Sequence, residues 1–112
     1  MNIRFDSASI RFRIDQTELD SLIKNNVIYD TLFLPEEQKI AYSIHLVDRR
    51  TDEMKLIVRD NSWKFEIPKS AIENVQSSKP ILDALVNNQT VIVGAEHKEI
   101  ILKFEVDIKS HK

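Results

Sequence analysis

Residues 9–23, Ser-Ile-Arg-Phe-Arg-Ile-Asp-Gln-Thr-Glu-Leu-Asp-Ser-Leu-Ile, decide how the chain begins to fold. Apolar side chains alternate with arginines up to Ile14, and since successive side chains of a strand point to opposite faces, this predicts a half-buried β-strand. From Asp15 onward the apolar residues recur three and four positions apart, which is the period of an amphipathic helix. Asp15 and Glu18 are spaced as a capping box. The stretch therefore predicts a strand followed at once by a helix.

Most of the remaining chain also alternates between apolar and polar residues. The pattern predicts further strands at 2–6, 27–34, 39–48, 54–60, 63–67, 90–95 and 99–109. Those at 39–48, 54–60 and 63–67 follow one another closely, which predicts an antiparallel three-stranded meander. Pro68 and Pro80 each precede a short apolar stripe, predicting two short helices, the second over 81–87.

These elements predict an α+β fold. We expect a curved, mainly antiparallel sheet of about eight strands, open or barrel-like, with helices covering one face. One helix of about two to three turns follows the second strand, and the two short helices precede the last hairpin.

The length of 112 residues predicts a single globular domain over 1–112, with 110–112 as a frayed tail. No apolar run approaches the roughly 18 to 20 residues that span a bilayer, and the first residues do not resemble a secretory signal. The chain has no cysteine, as is usual in a reducing compartment. We therefore expect a cytoplasmic protein that does not bind membranes.

Composition also excludes several kinds of chemistry. The chain has a single glycine, Gly94, whereas phosphate-binding loops, dinucleotide-binding turns and the serine nucleophile elbow each need several. His45, His97 and His111 lack the spacing of metal ligands, so we expect no metal and no cofactor. No serine or carboxylate stands in a catalytic pattern, which favours a protein without enzymatic activity. The net charge of −2 gives no general attraction to nucleic acid.

One charged constellation remains, formed by Arg4, Arg11 and Arg13. If the first two strands pair as a hairpin, these arginines emerge from one face, where like charges repel. Either acidic residues of the same chain, Glu105, Asp107 or Asp30, neutralise them, or they bind a phosphate-like anion or an acidic partner. The sequence leaves both alternatives open.

Three isoleucines, Ile57, Ile92 and Ile101, occupy positions on the polar side of their strands. Either a helix covers them or they form a surface for a partner.

The N-terminal third resembles a small uncharacterised family of bacterial proteins. The resemblance rests on Met1-Asn2-Ile3-Arg4 and on Ser9-Ile10-Arg11-Phe12-Arg13-Ile14, followed by a Thr-x-Glu-type helix start. It implies a bacterial origin and the order of the first elements, and it implies no functional residue.

These observations favour a non-catalytic module that binds another protein or a second copy of itself, through an uncovered strand edge or the Ile57, Ile92 and Ile101 side. The alternative is a domain, conceivably a small enzyme, that binds an anion, phosphate or nucleotide ligand at Arg4, Arg11 and Arg13.

Overall fold

A computed structural model describes residues 1–51, 53–72 and 85–107 of the chain. Within these residues, the strands form two four-stranded sheets that share one apolar core. In chain order the elements are β1 (Asn2–Phe5), β2 (Ser9–Asp15), α1 (Gln16–Asn25), β3 (Val27–Phe33), β4 (Lys39–Val47), β5 (Lys55–Arg59), β6 (Ser62–Pro68), β7 (Leu85–Val93) and β8 (Glu96–Asp107).

The two sheets have the same internal plan. Sheet A has the strand order β1-β2-β8-β7 and sheet B the order β3-β4-β6-β5. Each consists of two antiparallel hairpins whose second strands pair in parallel, β2 with β8 and β4 with β6. The broad α+β prediction and the eight strands agree with the described residues, but the single curved or barrel-like sheet is wrong. Alternation shows only that each strand has one buried face, and two stacked sheets satisfy that requirement equally well.

The predicted meander is also wrong. β5 and β6 do form an antiparallel hairpin, but β4 pairs with β6 in parallel, and β5 lies at the far edge of sheet B. The central position of β6 places Phe65 and Ile67 in the core, where both are fully buried. The edge position suits β5, which begins with Lys55 and ends with Arg59, because charged residues discourage further pairing at an edge.

Helix α1 forms as the sequence predicts. The Asp15 carboxylate accepts a hydrogen bond from the backbone N–H of Glu18 at 2.8 Å, and the Glu18 carboxylate accepts one from Asp15 N–H at 3.0 Å. The helix ends at Asn26, whose φ of 66° lies in the left-handed region that asparagine tolerates. Leu19 and Leu22 are buried in the core, which fixes the helix against the strands that flank it.

The region before the last hairpin departs from the prediction. Pro68 is the last residue of β6, and residues 69–72 form a helical turn that buries Ala71 and Ile72. The rest of the first predicted short helix and residues 81–84 of the second lie outside the described residues. Its last residues, 85–87, belong to β7, so the helix predicted there is wrong. The predicted frayed tail, 110–112, also lies outside the described residues.

The core lies between the two sheets. Phe12 of sheet A and Phe65 of sheet B stack with ring centroids 4.2 Å apart, and neither ring is exposed to solvent. Ile14, Leu102 and Phe104 extend the buried surface of sheet A. Burial of such side chains contributes about 1.5 to 3 kcal/mol each, so this layer is the main source of the stability of the fold.

One side of the sandwich is closed by side chains. The Asn87 amide accepts a hydrogen bond from Met54 N–H at 2.7 Å and donates one to the Met54 carbonyl at 3.1 Å. The Gln89 amide makes the same two bonds with Leu56, at 2.8 and 3.0 Å. We call this pair, Asn87 and Gln89, the amide clasp. It satisfies the backbone groups of Met54, which immediately precedes β5, and of Leu56 at the edge of β5, and it joins the two sheets.

Candidate functional site

The three arginines predicted as a cluster lie on the outer face of sheet A. Arg4 of β1 stands directly opposite Arg11 of β2, and Arg13 is two residues further along the same face. Parallel pairing with β8 adds Lys103 beside Arg11 and Glu105 beside Arg13. The structure therefore brings the three arginines together, with a fourth cation and one carboxylate among them.

Glu105 neutralises part of this cluster. Its carboxylate accepts a hydrogen bond from Arg11 at 3.3 Å and another from Arg13 at 3.2 Å. Asp30, by contrast, belongs to the other sheet. Arg4 forms no ion pair with any of the described residues. Its guanidinium is thus the one arginine of the cluster that internal pairing does not satisfy within that part of the chain.

The space among the arginines is small. Asn2 and the three arginines enclose a cavity of about 10 Å³. That volume is close to the minimum for a single water molecule, so an anion would lie on this surface rather than inside it.

The three isoleucines do not form one surface. Ile57 lies on sheet B, beside Lys64, and is half-buried. Ile101 and Ile92 share the outer face of sheet A, but their positions on the β7–β8 ladder are four residues apart, or roughly 13 Å. Ile92 is 70% exposed, whereas Ile101 is half-buried.

Opposite the amide clasp, the sandwich is open, and the sequence did not reveal this feature. The sheets are separated there by a groove of about 360 Å³, which we call the inter-sheet groove. Its lining residues are Met1, Asn2, Ile3, Phe5, Leu32, Ile40, Tyr42 and Trp63. The alternation predicted that Ile3, Phe5, Ile40, Tyr42 and Trp63 point inward, but not that the edge strands β1 and β3 stand apart.

Aromatic side chains form part of the groove wall. Phe5 and Trp63 meet edge to face, with ring centroids 5.3 Å apart and an interplanar angle of 81°. Tyr42 stands next to Trp63 in the register of β4 and β6. Phe5 remains 55% exposed although it points toward sheet B, because no element covers this end of the groove among the described residues.

Two carboxylates lie close to the Tyr42 end of the groove. Burial raises the pKa of the Tyr42 hydroxyl, and the charges of the nearby Asp30 and Glu18 carboxylates raise it further. Glu18 also binds the Met1 ammonium group at 2.6 Å. Asp30 is therefore the carboxylate at this end of the groove whose charge no ion pair among the described residues neutralises.

Strand β3 forms the free edge of sheet B beside the groove. Its side chains Tyr29 and Phe33 are 74% and 76% exposed, and Leu32 is 49% exposed. The backbone N–H of Thr31 donates a hydrogen bond to the Asp30 carboxylate at 2.8 Å. A carboxylate thus occupies one backbone donor of this strand.

A second polar cluster lies on the outer face of sheet B. The Ser43 hydroxyl is 2.9 Å from Nε2 of His45, and parallel pairing places Glu66 beside His45. Burial and the charge of Lys64 lower the pKa of His45, although Glu66 opposes them, so the imidazole is neutral near pH 7. The sequence did not reveal that Glu66 lies beside His45, because the two residues are remote along the chain and meet only through the β4–β6 pairing.

Glu66, the acidic residue of that cluster, already forms an ion pair with Arg49. Burial tends to raise the pKa of Glu66, but a hydrogen bond and ion pair with Arg49, supported by Lys64, lower it overall. Within the described residues no hydrogen bond joins Glu66 to His45, so a serine–histidine–acid relay is not assembled. The same residues contain no group of three side chains placed to hold a metal ion. They also contain no helix with the length and apolar character needed to cross a bilayer.

The described residues define a two-sheet β-sandwich that is closed on one side and carries an apolar groove on the other. The chain belongs to a family of unknown function, DUF7009, whose family model matches residues 1–99. This confirms the membership of an uncharacterised family that the N-terminal strands indicated. No curated protein and no solved structure matches the chain.

Proposed function

We propose that this domain is a non-catalytic interaction module that binds a second copy of itself through the free edge of β3. The observation that carries the proposal is the exposure of Tyr29, Leu32 and Phe33 on a strand that has a neighbour on only one side among the described strands. Exposed apolar side chains on an unpaired edge are typical of surfaces that pair with another chain.

The backbone of β3 supplies the pairing groups. Ala41 of β4 donates its N–H to Asn61, on the side away from β3, so Thr31, which is opposite Ala41, directs its own N–H and C=O to the free edge. By the alternation of an antiparallel ladder, Tyr29 and Phe33 do the same.

Because Tyr29, Thr31 and Phe33 are the residues whose backbone groups face the free edge, one pairing register is favoured. In an antiparallel pair with its two-fold axis at Thr31, Tyr29 of each copy lies opposite Phe33 of the other. Two cross-strand aromatic pairs then form on the outer face, each worth roughly 0.2 to 1 kcal/mol beyond an alanine pair. A two-fold arrangement uses the same edge on both copies, which is the commonest form of homodimer.

The area is sufficient for a weak dimer. An aromatic side chain buries about 150 to 250 Å² when fully covered. The exposed parts of Phe5, Tyr29, Leu32, Phe33 and Leu34 therefore amount to on the order of 500 Å² per copy, or about 1,000 Å² in the pair. Such an interface lies at the lower limit for specific association, and the Asp30 carboxylate must give up Thr31 N–H for the central bond to form.

Sedimentation velocity over a concentration series up to about 1 mM tests the proposal, because a weak dimer forms by mass action. We expect the sedimentation coefficient to rise with concentration, and Phe33→Ser and Tyr29→Ser to suppress the rise. Ile92→Ser is the matched control, since Ile92 is exposed to a similar extent but lies on sheet A.

Two results contradict the proposal. One is a monomer throughout the concentration series. The other is a dimer that Ile92→Ser disrupts and Phe33→Ser does not, which would place the interface on the outer face of sheet A.

A second candidate function rests on Arg4. Arg4 and Arg11 stand opposite each other, and no acidic side chain among the described residues pairs with Arg4. We infer that a phosphate-type anion would relieve this repulsion by binding between the two guanidinium groups. Inorganic phosphate or pyrophosphate should then raise the melting temperature of the protein, and Arg4→Ala should abolish the shift, whereas Arg59→Ala should leave it intact. An equal shift in both variants, or none with any anion, contradicts this candidate.

A further inference from the structure

The inter-sheet groove has the size and composition of a site for a small molecule. Its volume of about 360 Å³ falls in the range of roughly 300 to 1,000 Å³ that is typical of ligand pockets. Such pockets are mostly apolar and contain a few polar groups that select the ligand. Here the apolar wall is formed by Ile3, Phe5, Ile40 and Trp63.

Two carboxylates lie near the Tyr42 end of the groove. Asp30 extends the row that contains Tyr42 and Trp63, on the same face of sheet B, and its charge acts on the Tyr42 hydroxyl. Glu18 also acts electrostatically on Tyr42, but it is already paired with the Met1 ammonium group, which belongs to a groove-lining residue. Asp30 forms no ion pair with any of the described residues, so its charge is the one that a bound cation would neutralise.

The cationic residues of the same strand point elsewhere. Arg4 lies between Ile3 and Phe5 on β1, so its side chain emerges on the outer face of sheet A while its neighbours face the groove. The guanidinium cluster and the groove therefore lie on opposite faces of strand β1. An anion is attracted to the outer face, and a cation to the groove.

We propose that the inter-sheet groove binds a small organic cation, with an aromatic or aliphatic body against Phe5 and Trp63 and an ammonium group directed toward Asp30 and Tyr42. The ring faces of Trp63, Tyr42 and Phe5 attract a cation through their quadrupoles, and the Asp30 carboxylate supplies the opposite charge. This proposal rests on the groove lining, of which Phe5 and Leu32 also belong to the surface counted for the β3 dimer, so binding is measured at a protein concentration at which the dimer is negligible.

Three ligands with the same body and different charge provide the test. Phenethylamine is the cation, 2-phenylethanol the neutral analogue and phenylacetate the anion. Trp63, which lines the groove, is the single tryptophan of the chain, so its fluorescence reports on occupancy directly. We expect a saturable change with phenethylamine at about tenfold lower concentration than with 2-phenylethanol, and weaker binding still of phenylacetate.

Two variants locate the charge. Asp30→Asn retains the shape of the side chain, and we expect it to remove most of the advantage of phenethylamine while binding of 2-phenylethanol is unchanged. Asp48→Asn removes the same charge six residues beyond Tyr42 along the chain, where Asp48 pairs with Lys69, and should have no effect. Titrations at about 1 µM protein keep any self-association negligible.

Equal affinity for the amine and the alcohol would overturn the proposal, because the groove would then select only for apolar surface. Retention of the full preference in Asp30→Asn would also overturn it, as would the absence of saturable binding of any of the three ligands. Urea denaturation of each variant confirms that the fold is intact, and Tyr42→Phe serves as a second variant if Asp30→Asn fails to fold.

Discussion

The amide clasp leads to a sharp prediction about how the two sheets stay together. Asn87→Leu keeps a side chain of similar size but leaves the N–H and C=O of Met54 without their partners at 2.7 and 3.1 Å. An unsatisfied buried polar group costs about 1 to 3 kcal/mol, and partial access of water to the half-buried site reduces the cost of each of the two Met54 groups to about 1 kcal/mol. We expect a loss of about 2 kcal/mol in the free energy of unfolding.

The matched control is the next residue. Asn88 points to the opposite face of β7 and donates a hydrogen bond to Glu99 on the surface, so Asn88→Leu should change stability by less than about 0.5 kcal/mol. Urea titrations measure both variants, and an unchanged slope would show that the denatured state is unaffected. A loss of about 2 kcal/mol corresponds to a decrease of about 8 °C in the melting temperature.

Asn87→Asp separates hydrogen bonding from packing, because the side chain has the same shape. A protonated carboxyl can accept from Met54 N–H and donate to the Met54 carbonyl, as the amide does, whereas an ionised carboxylate would face that carbonyl without a proton. The folded state therefore raises the pKa of the introduced acid above its unfolded value of about 3.9. Relative to the wild type, the variant should be nearly as stable at about pH 3.5 and progressively less stable as the pH rises toward about 7.

Two outcomes would refute this account of the clasp. One is Asn87→Leu having as little effect as Asn88→Leu. The other is a stability difference between Asn87→Asp and wild type that does not change with pH.

Three further predictions concern stability. Asp15→Ala removes the N-cap acceptor of α1 and should cost about 1 kcal/mol, measured by urea denaturation against Asp20→Ala as control. Phe12→Ala empties one half of the Phe12–Phe65 stack and should cost about 3 to 5 kcal/mol, with Phe12→Leu costing clearly less. The folded state lowers the pKa of His45, chiefly through burial, so the unfolded state binds its proton first. Stability should therefore decrease as the pH falls from about 7.5 through the unfolded pKa of about 6.5, and His45→Gln should reduce that decrease in a series of urea midpoints.

Local features of the fold could be predicted from the sequence because their partners are close along the chain. The capping box of α1 joins Asp15 to Glu18, and the β1–β2 hairpin joins Phe5 to Ile10 across a short turn. The parallel pairings could not be predicted in this way. The alternation of β2 shows which face is buried, but it contains no information on whether β8 or another strand lies beside it, or in which direction.

The candidate sites also differ in whether their residues are close along the chain or meet only through strand pairing. Clustering of Arg4, Arg11 and Arg13 followed from one hairpin and two-residue periodicity, so the sequence was sufficient to predict it. The sequence named Glu105 as one of three candidate acids but could not choose among them, because Glu105 reaches Arg11 and Arg13 only through the β2–β8 pairing. The inter-sheet groove could not be predicted from the sequence at all, since a gap between two sheets depends on how far their edges diverge.

The misassignment of residues 85–87 has a specific physical cause. Asn87, Asn88 and Gln89 interrupt the apolar alternation and resemble the polar end of a helix, because an inward-facing amide in a strand normally incurs a desolvation cost. That cost is absent here, since the backbone at Met54, just before β5, and at Leu56 within it offers each amide both a donor and an acceptor. The polar residues that made the segment look unlike a strand are therefore the ones that attach this strand to the opposite sheet. It follows that replacing both with leucine would restore the alternation of β7 in the sequence while weakening the junction between the sheets.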